Sequence, residues 1–489
     1  MKHTSIRDIS RRRPLAAAIG ATLALSGCIT VGPDYHAPDN ATVPSAYVNA
    51  VAGAPAAAGA VDVAVFWTGF HDEILNTLMQ QAITANPDLR IAQARLQEAR
   101  ANLLGAEAAS RPGVALAAGT NREVIGQTLF PGDRASRTKT IDTVDLPDAR
   151  WEIDLFGKFA RGREAAGALV AASEAGVQAA QVSLAGELAS TYFTLRGTQQ
   201  QLQIAEAALR NQQDNLTLVN SLEQLGRGTA LDTARARALV ASTQATLPGY
   251  QAAIARSAYR IAVLTGQPPK AAEALVAQPK PLPGLAPLAN VGAPAQLLRQ
   301  RPDIRVAERQ LAAANAGIGV ATAALFPSIS LTGMLGLNAG SLATLPRNDA
   351  FIYNFGAALS WTPFDFGSLR SQIRANEART NAALATYEKT VLVALEDVDD
   401  ALVTYSRTQQ QQDSLQRAVE ASTEAARLAQ ARYEAGKTDF LSVLDAQRSL
   451  LSDQDRLSQS QTAAATSLVA VYKALGGGWG GVAKMADGR

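Results

Sequence analysis

The chain contains one unit twice, and that repetition limits its fold more than any other feature. Asn86-Pro87-Asp88-Leu89-Arg90-Ile91-Ala92 returns 215 positions later as Arg301-Pro302-Asp303-Ile304-Arg305-Val306-Ala307. WEIDLFG at 151–157 returns as WTPFDFG at 361–367, 210 positions later, and Gly226, Leu231 and Thr265-Gly266 return as Gly436, Leu441 and Leu475-Gly476 at the same spacing. The copies differ by five residues between the first and second landmarks, and loops are where such changes are tolerated. A duplicated chain of 489 residues is two supersecondary units that share one core, rather than a string of unrelated domains. A proline-rich connector from Pro279-Lys280-Pro281-Leu282-Pro283-Gly284 to Pro294 separates the copies and cannot be a continuous helix.

Each copy reads helix, strand, strand, long helical hairpin. The Asn86-Pro87-Asp88 and Arg301-Pro302-Asp303 landmarks open helices, with the acid in the first turn beside a proline. Alternation follows. Ile329, Leu331, Gly333, Leu335 and Leu337 share one face, opposed by Ser328, Ser330 and Thr332. Phe351, Tyr353, Phe355, Ala357, Leu359 and Trp361 share another, opposed by Asn354, Gly356, Ser360 and Thr362. The first copy repeats the pattern more weakly in Val114, Leu116 and Ala118 and then in Trp151, Ile153 and Leu155, the latter opposed by Glu152 and Asp154. Period-two alternation with aromatics near the ends is the pattern of outer-membrane strands. An ordinary half-buried hairpin would explain one such pair, but two equivalent pairs favour the membrane.

No proline occurs from Asp148 to Leu247 or from Phe364 to Arg489. At ~1.5 Å per residue, a helix over 158–222 reaches roughly 100 Å. Leu184, Leu188, Thr191, Leu195, Thr198, Leu202, Ala205, Leu209, Gln212, Leu216 and Val219 are spaced 4, 3, 4, 3, the period of left-handed supercoiling against neighbours. Val391, Ala394, Leu395, Val398, Ala401 or Leu402 and Tyr405 follow the same rule in the second copy, and Leu415, Ala418, Val419, Ser422, Ala425, Ala426, Ala429 and Tyr433 continue it. Glycines at Leu225-Gly226-Arg227-Gly228-Thr229 and Ala435-Gly436-Lys437-Thr438 supply the positive φ that ends a helix and reverses it.

The first residues read as an export signal. Lys2, Arg7 and Arg11, Arg12 and Arg13 precede an apolar stretch from Leu15 to Leu25 and then Ser26-Gly27-Cys28. Cys28 is the only cysteine. Leu25-Ser26-Gly27-Cys28 resembles a bacterial lipobox, in which the thiol is lipidated and becomes the mature N-terminus. Ile29 puts no Asp after that cysteine. A single cysteine excludes an intrachain disulfide framework. Removing residues 1–27 takes away five basic residues and Asp8, leaving 40 basic and 42 acidic from 45 and 43, a net charge of about −2, unlike a general nucleic-acid binder. No apolar run after Cys28 approaches the ~20 residues of a spanning helix, so any membrane crossing needs a closed barrel. Barrels have about eight strands or more, and four strands per chain therefore call for several chains.

Leu25 to Cys28, Gly32-Pro33-Asp34-Tyr35, Arg301-Pro302-Asp303-Ile304-Arg305, Leu325-Phe326-Pro327-Ser328-Ile329-Ser330-Leu331-Thr332-Gly333, Val443-Leu444-Asp445-Ala446-Gln447-Arg448-Ser449-Leu450 and Tyr472-Lys473-Ala474-Leu475-Gly476-Gly477-Gly478-Trp479 carry a resemblance that covers nearly the whole mature chain. The sequence resembles the TolC-like outer-membrane factors of tripartite efflux systems, in their OprM-like lipoprotein branch. The resemblance implies a mainly α chain with membrane β, a homotrimer whose twelve strands, four per chain, make one outer-membrane β-barrel continued by a long periplasmic α-helical barrel. It implies a passive exit duct, coupled to a periplasmic adaptor (membrane fusion) protein and an inner-membrane transporter of the resistance-nodulation-division type. The lipid-anchored chain would sit in outer-membrane lipid and extend into the periplasm.

On this reading 1–27 is a lipoprotein signal peptide, 28–75 the lipid anchor and extended N-terminal segment, 76–267 the first repeat, 268–294 the connector, 295–478 the second repeat and 479–489 a C-terminal tail. The family closes its periplasmic end with inward residues above the hairpin tips, and the positions that match here are Asp445, Leu441 and, in the first copy, Asp232. Three Asp445 carboxylates would attract cations, and three Leu441 side chains would make an apolar constriction. A second acidic position, three residues earlier in the TolC branch, is Ser442 here. Gly226, Arg227, Gly228, Gly436 and Lys437 match the adaptor-docking tips.

His3, His36 and His71 form no cluster for a metal or a catalytic triad. Gly476-Gly477-Gly478 lacks the Lys-Ser/Thr of a phosphate loop and reads as a helix stop. No enzymatic activity and no cofactor is expected, apart from the covalent lipid on Cys28. The competing readings are the exit channel of a one-step protein secretion system and a lipid-anchored periplasmic coiled-coil structural protein.

Overall fold

The repeated landmarks become repeated elements. The computed structural model describes residues 29–38, 43–48, 63–124, 138–284, 294 and 300–478, so the signal peptide, Cys28 and the tail lie outside the described residues. Numbered along the chain, α1 spans Glu73–Ala85, α2 Pro87–Ala108, β1 Gly113–Val124, β2 Thr138–Ile153, α3 Lys158–Gln224, α4 Ala230–Leu264, α5 Glu273–Ala277, α6 Pro302–Ala323, β3 Ser328–Ala339, β4 Phe351–Ser360, α7 Ser368–Glu434 and α8 Phe440–Ala474. α2 and α6 both have 22 residues, α3 and α7 both 67, and α4 and α8 both 35. The five-residue difference between the copies is thus confined to the strands and the loops around them.

Two segments depart from the expected outline. A 3-10 stretch, Val63–Phe70, and the first turn of α1 occupy the end of what the sequence reads as an extended N-terminal segment. The Asp72 carboxylate starts α1 by accepting from the backbone N–H of Ile74 and Leu75 at 2.8 and 3.0 Å. The connector begins with the short helical pieces Pro269–Ala272 and α5, and its described residues from Pro279 to Gly284 are without regular structure.

The chain divides into two compact units, one of Gln97–Ala172 and Ala307–Tyr387 with the described residues up to Pro38, the other of the remaining described residues. The first unit holds one antiparallel sheet, ordered β1-β2-β3-β4. Its two hairpins, one from each copy, are joined by β2–β3 pairing, with Trp151 opposite Leu331 and Ile153 opposite Ile329. Residues opposite each other share a face, so Ile329, Leu331, Leu335 and Leu337 stand with Leu359, Ala357, Tyr353 and Phe351. Ser330, Thr332 and Asn338 lie on the other face with Glu152, Arg150 and Thr143. The apolar face is open. Phe355 is 71% exposed, and Tyr353, Leu359 and Val114 are exposed to a similar extent.

The register of β2 shifts between Asp145 and Asp148, where Pro147 has no N–H to give the ladder and a bulge accommodates it. β4 ends at Ser360, one residue before Trp361, and β2 ends two residues before Leu155, so both strands are shorter than the alternation implies. Pro363, likewise without an N–H, follows the end of β4. Both repeated tryptophans nonetheless do the same work. Trp151 Nε1 donates to the Ser110 carbonyl and Trp361 Nε1 to the Leu325 carbonyl, each at 3.0 Å, which ties each second strand to the chain leaving α2 or α6.

In the second unit the repeat is visible as matched helix caps. Asn86 Oδ1 accepts from the N–H of Asp88 and Leu89, while its Nδ2 donates to the Leu264 carbonyl at the end of α4, 2.9 Å away. Arg301, at the equivalent position, donates from Nη1 to the Ala474 carbonyl at the end of α8 at 3.1 Å. Positive φ at Gly266 and Gly476 ends both helices, and a Cβ on Gly266 would stand 2.4 Å from the Ala85 carbonyl oxygen. Each returning helix thus finishes against the residue that opens α2 or α6 of its own copy.

The heptad positions expected in α3 are all buried or half-buried, from Leu184 and Leu188 to Gln212 and Val219. α7 agrees except at Ala425, which is exposed. Small residues let the helices approach: a Cβ on Gly197 would fall 1.9 Å from Thr462 Oγ1, so the Thr462 side chain of α8 sits directly on the α3 backbone there.

Asn86→Ala removes a helix cap at both ends of one junction. We expect it to cost about 1–2 kcal/mol in denaturant unfolding, with Asn86→Asp keeping the N-terminal half of the effect. Stability equal to that of the unaltered chain would show that Asn86 does not hold the junction.

Candidate functional site

The two hairpin tips are built alike. Gly226 and Gly436 have φ of +71° and +69°. Gly226 N–H donates to the Glu223 carbonyl and Arg227 N–H to that of Leu222. In the second copy Gly436 and Lys437 donate to Tyr433 and Arg432, all at 2.8–2.9 Å. These are glycine-terminated helix ends of the kind that satisfies orphan carbonyls. Gly228 also donates to the Leu222 carbonyl. No atom lies within 4 Å of a Cβ built on Gly226 or Gly436, so conformation rather than space requires glycine there. The returning helices are capped by Thr229, which accepts from Asp232 N–H, and by Asp439, which accepts from Ser442 N–H, both at 3.1 Å.

Behind the tips one apolar cluster joins four helices of the second unit. Leu216 and Val219 of α3, Ala236 and Leu239 of α4, Ala429 and Tyr433 of α7, and Phe440, Val443 and Leu444 of α8 pack together. Tyr433 and Phe440 lie 5.2 Å apart between ring centroids. Burial first, and then the negative charge of Asp232, push the Tyr433 phenol up.

The expected gate residues fall on different sides of this cluster. Asp445 is exposed and Leu441 is 38% exposed, one turn apart on the side of α8 opposite Val443 and Leu444. Arg448 continues that exposed stripe. Asp232 is instead engaged: Thr229 Oγ1 donates to its Oδ2 at 2.6 Å, and Arg235 approaches its Oδ1 at 3.9 Å. Among the described residues, no hydrogen bond or ion pair joins Asp232 to Asp445. The 210-residue spacing pairs Asp232 with Ser442 and Arg235 with Asp445. The exposed carboxylate of the second hairpin therefore has a guanidinium as its counterpart in the first.

A second built site lies in the first unit, and sequence reasoning noted its residues only as a motif. Arg161, its side chain 5% exposed, gathers the segment that follows Cys28. Its Nε donates to the Val31 carbonyl at 3.1 Å, Nη2 to the Gly32 carbonyl at 3.2 Å and to Asp34 Oδ1 at 2.7 Å, and Nη1 to Glu164 at 2.7 Å. Burial lowers the affinity of Arg161 for its proton, but the hydrogen bonds and charges of Glu164 and Asp34 outweigh that and raise it. Asn315 Nδ2 donates to the Pro33 carbonyl, Tyr35 hydroxyl donates to Glu308, and Val31 N–H donates to the Phe156 carbonyl. A Cβ on Gly32 would lie 2.4 Å from Gly319 Cα. Gly32-Pro33-Asp34-Tyr35 is thus a clamped strap against the start of α3 and the body of α6, and its motif was the one sequence signal available for it.

The pattern that describes the Outer membrane efflux protein family matches the chain twice, over residues 78–267 and 293–477. The chain belongs to that family. It is 33% identical over 464 residues to Nodulation protein T of Rhizobium leguminosarum bv. trifolii, covering 95% of this chain and 97% of that one. It is 35% identical to the solvent efflux pump outer membrane protein SrpC of Pseudomonas putida, with 84% and 86% covered, and 31% identical to the outer membrane protein OprJ of Pseudomonas aeruginosa, with 96% and 97% covered. Among solved structures it resembles the outer-membrane channel OprN, with a TM-score of 0.85, 40% identity and coverage of 92% and 99%. It also resembles the outer membrane protein VceC of Vibrio cholerae, with a TM-score of 0.78, 28% identity and coverage of 85% and 99%. The mainly helical chain with a small sheet is the fold of this family's outer-membrane channels.

The second tip has a pH signature. Hydrogen bonds from the Ser442 hydroxyl and backbone N–H hold the Asp439 carboxyl below its ordinary range. A depressed carboxyl stabilises the folded tip above its unfolded value, and that contribution disappears as pH falls through the folded value. Amide exchange at Phe440–Leu444 is expected to accelerate below about pH 4 in the unaltered chain and to lose that step in Asp439→Asn. A step that persists in the variant would assign it to another group.

Proposed function

We propose that three copies of this chain close one twelve-stranded barrel in the outer membrane, and that the duct continues into the periplasm between the helical hairpins. The channel is the passive exit of a tripartite efflux pump for small molecules. One observation carries this reading: the apolar face of the sheet is exposed along β4 and at Val114 of β1, and these two outer strands have no further strand beside them among the described residues. In lipid an unpaired strand edge is excluded because each bare backbone group costs several kcal/mol. Only closure with other chains satisfies both edges. A periplasmic structural tether would have no use for Phe351, Tyr353, Phe355 and Leu359 on one open face.

In this assembly Asp445 and Leu441 line the periplasmic end, with Asp232 behind them. The Asp445 carboxylates form a cation-attracting ring, and Leu441 forms the apolar constriction. A periplasmic adaptor docks on Gly226-Arg227-Gly228 and Gly436-Lys437, whose basic side chains project beside glycines that carry no side chain. An inner-membrane transporter of the resistance-nodulation-division type delivers the substrate. Cys28 carries the covalent lipid, and the strap held by Arg161 keeps the residues after it beside the end of β2. The chain performs no chemistry on what it passes.

The test is the conductance of purified protein in planar bilayers. The unaltered channel is expected to show small or closed pores, and Asp445→Ala a weaker preference for cations. A pore indifferent to Asp445 removes the gate but keeps the channel, whereas the absence of any pore overturns the function. Cys28→Ser is expected to lose the lipid mass increment in intact-protein mass spectrometry while the chain remains in the outer membrane. An unchanged mass would mean that Cys28 is not the anchor.

A further inference from the structure

The internal repeat fixes how neighbouring copies meet. Shifting first-copy residues by 215 up to the first strand and by 210 from the second strand onward maps one hairpin register onto the other. Gly113 opposite Arg150, Val114 opposite Ala149 and Ala115 opposite Asp148 become Ser328 opposite Ser360, Ile329 opposite Leu359 and Ser330 opposite Ala358, which are the observed pairs. The same rule applied to the β2–β3 junction predicts a junction that one chain cannot make.

We infer that β4 of one copy pairs antiparallel with β1 of the next in the register of β2 with β3, and that Phe366 there packs on Arg111 of the next copy. This inference rests on the trimer proposed above. Ala149 opposite Gly333, Arg150 opposite Thr332 and Trp151 opposite Leu331 become Leu359 opposite Ala118, Ser360 opposite Ala117 and Trp361 opposite Leu116 of the next copy. The faces agree independently. Val114 and Ala118 of β1 lie opposite Ala149 and Val144, on the apolar face that holds Leu331 and Leu359. A register displaced by one residue would turn that face over.

The ring contact follows by the same shift. At the internal junction Phe156, just beyond β2, stacks on Phe326, just before β3, with centroids 4.6 Å apart. The equivalents are Phe366 and Arg111. Phe366 stands fully exposed beside Phe364 and has a φ of +52°, an unfavourable conformation for a side chain with a Cβ. The Asp365 carboxylate supports that bend by accepting from the N–H of Gly367 and Leu369. A bulky ring held outward in a strained turn fits a partner surface. Arg111, exposed at the foot of β1, gives the next copy a guanidinium for the ring face, so the contact between chains is a cation on an aromatic where the internal contact is a stack.

The closing experiment is oxidative cross-linking of the full chain in membranes. Leu359→Cys with Ala118→Cys, and Ser360→Cys with Ala117→Cys, are tested beside displaced pairs, Leu359→Cys with Leu116→Cys and Leu359→Cys with Thr120→Cys. Adjacent pairs in an antiparallel ladder alternate between hydrogen-bonded and closer non-hydrogen-bonded types. At least one of the first two is therefore expected to give covalent dimers and trimers several-fold faster than either displaced pair. Faster linking of a displaced pair overturns the register and leaves the trimer standing. No linking in any pair, together with a monomer by light scattering, overturns the trimer itself. For the clasp, Phe366→Ala and Arg111→Ala are each expected to lower the temperature at which the trimer dissociates in detergent, and the double variant no further. Additive lowering would show that the two side chains do not meet.

Discussion

Backbone groups in hydrocarbon must be hydrogen-bonded within the protein, and the described residues of this chain supply four strands where a closed barrel needs more. Much else in the first unit is a consequence. The β2–β3 pairing welds the hairpins of both copies into one sheet, so each chain presents two free edges rather than four. The exposed aromatic row of β4, which would be an aggregation hazard in water, is suited to lipid. The bulge at Pro147 puts a residue that cannot donate where the ladder is already interrupted. Among the described residues no helix is long and apolar enough to cross a membrane.

Duplication reused one geometry with different chemistry. Asn86 and Arg301 both close a returning helix, but a neutral amide does so alone, whereas a guanidinium at a largely buried position needs partners. Arg301 has them in Asp303 and Asp397, at 2.6 and 2.9 Å. Burial works against its charge, and the hydrogen bonds and charges of the two carboxylates outweigh burial and raise its affinity for the proton. Asp397 belongs to α7, so in the second copy the cap also ties in the descending helix, a link that Asn86 is too short and neutral to make.

Most of the architecture was legible because it follows from periodicity and punctuation. Leu184 to Val219 gave the buried stripe of α3, and Gly226 and Gly436 gave the reversals, since both signals act locally. What escaped depends on tertiary pairing. Nothing in Val114 or Ile329 says that the two hairpins share a sheet, and the early end of β4 follows from Pro363 and the absence of a partner beyond Ser360. Ala425 is exposed although it fits the heptad, because an alanine loses little by facing water. Gly32-Pro33-Asp34-Tyr35 could be recognised as a motif, but its role is set by Arg161, more than a hundred residues away in sequence. The tips were readable as helix ends. Asp232 finds its partners three residues either side, in Thr229 and Arg235, whereas the exposure of Asp445 follows from which face of α8 packs in the apolar cluster.

That difference bears on how a closed end would behave. Asp232 already accepts a hydroxyl and stands near Arg235, so its charge is partly offset within the chain. Asp445 lies in water in one chain, and its first-copy counterpart is Arg235. Identical carboxylates brought around one axis repel. A narrow ring of Asp445 would therefore store repulsion that widening relieves, while Leu441 one turn away gains from contact because its side chain leaves water. Closure is then set by an apolar contact against a charge repulsion on the same face of α8. Salt weakens the repulsion without weakening the apolar contact, so the balance shifts toward the closed form as ionic strength rises.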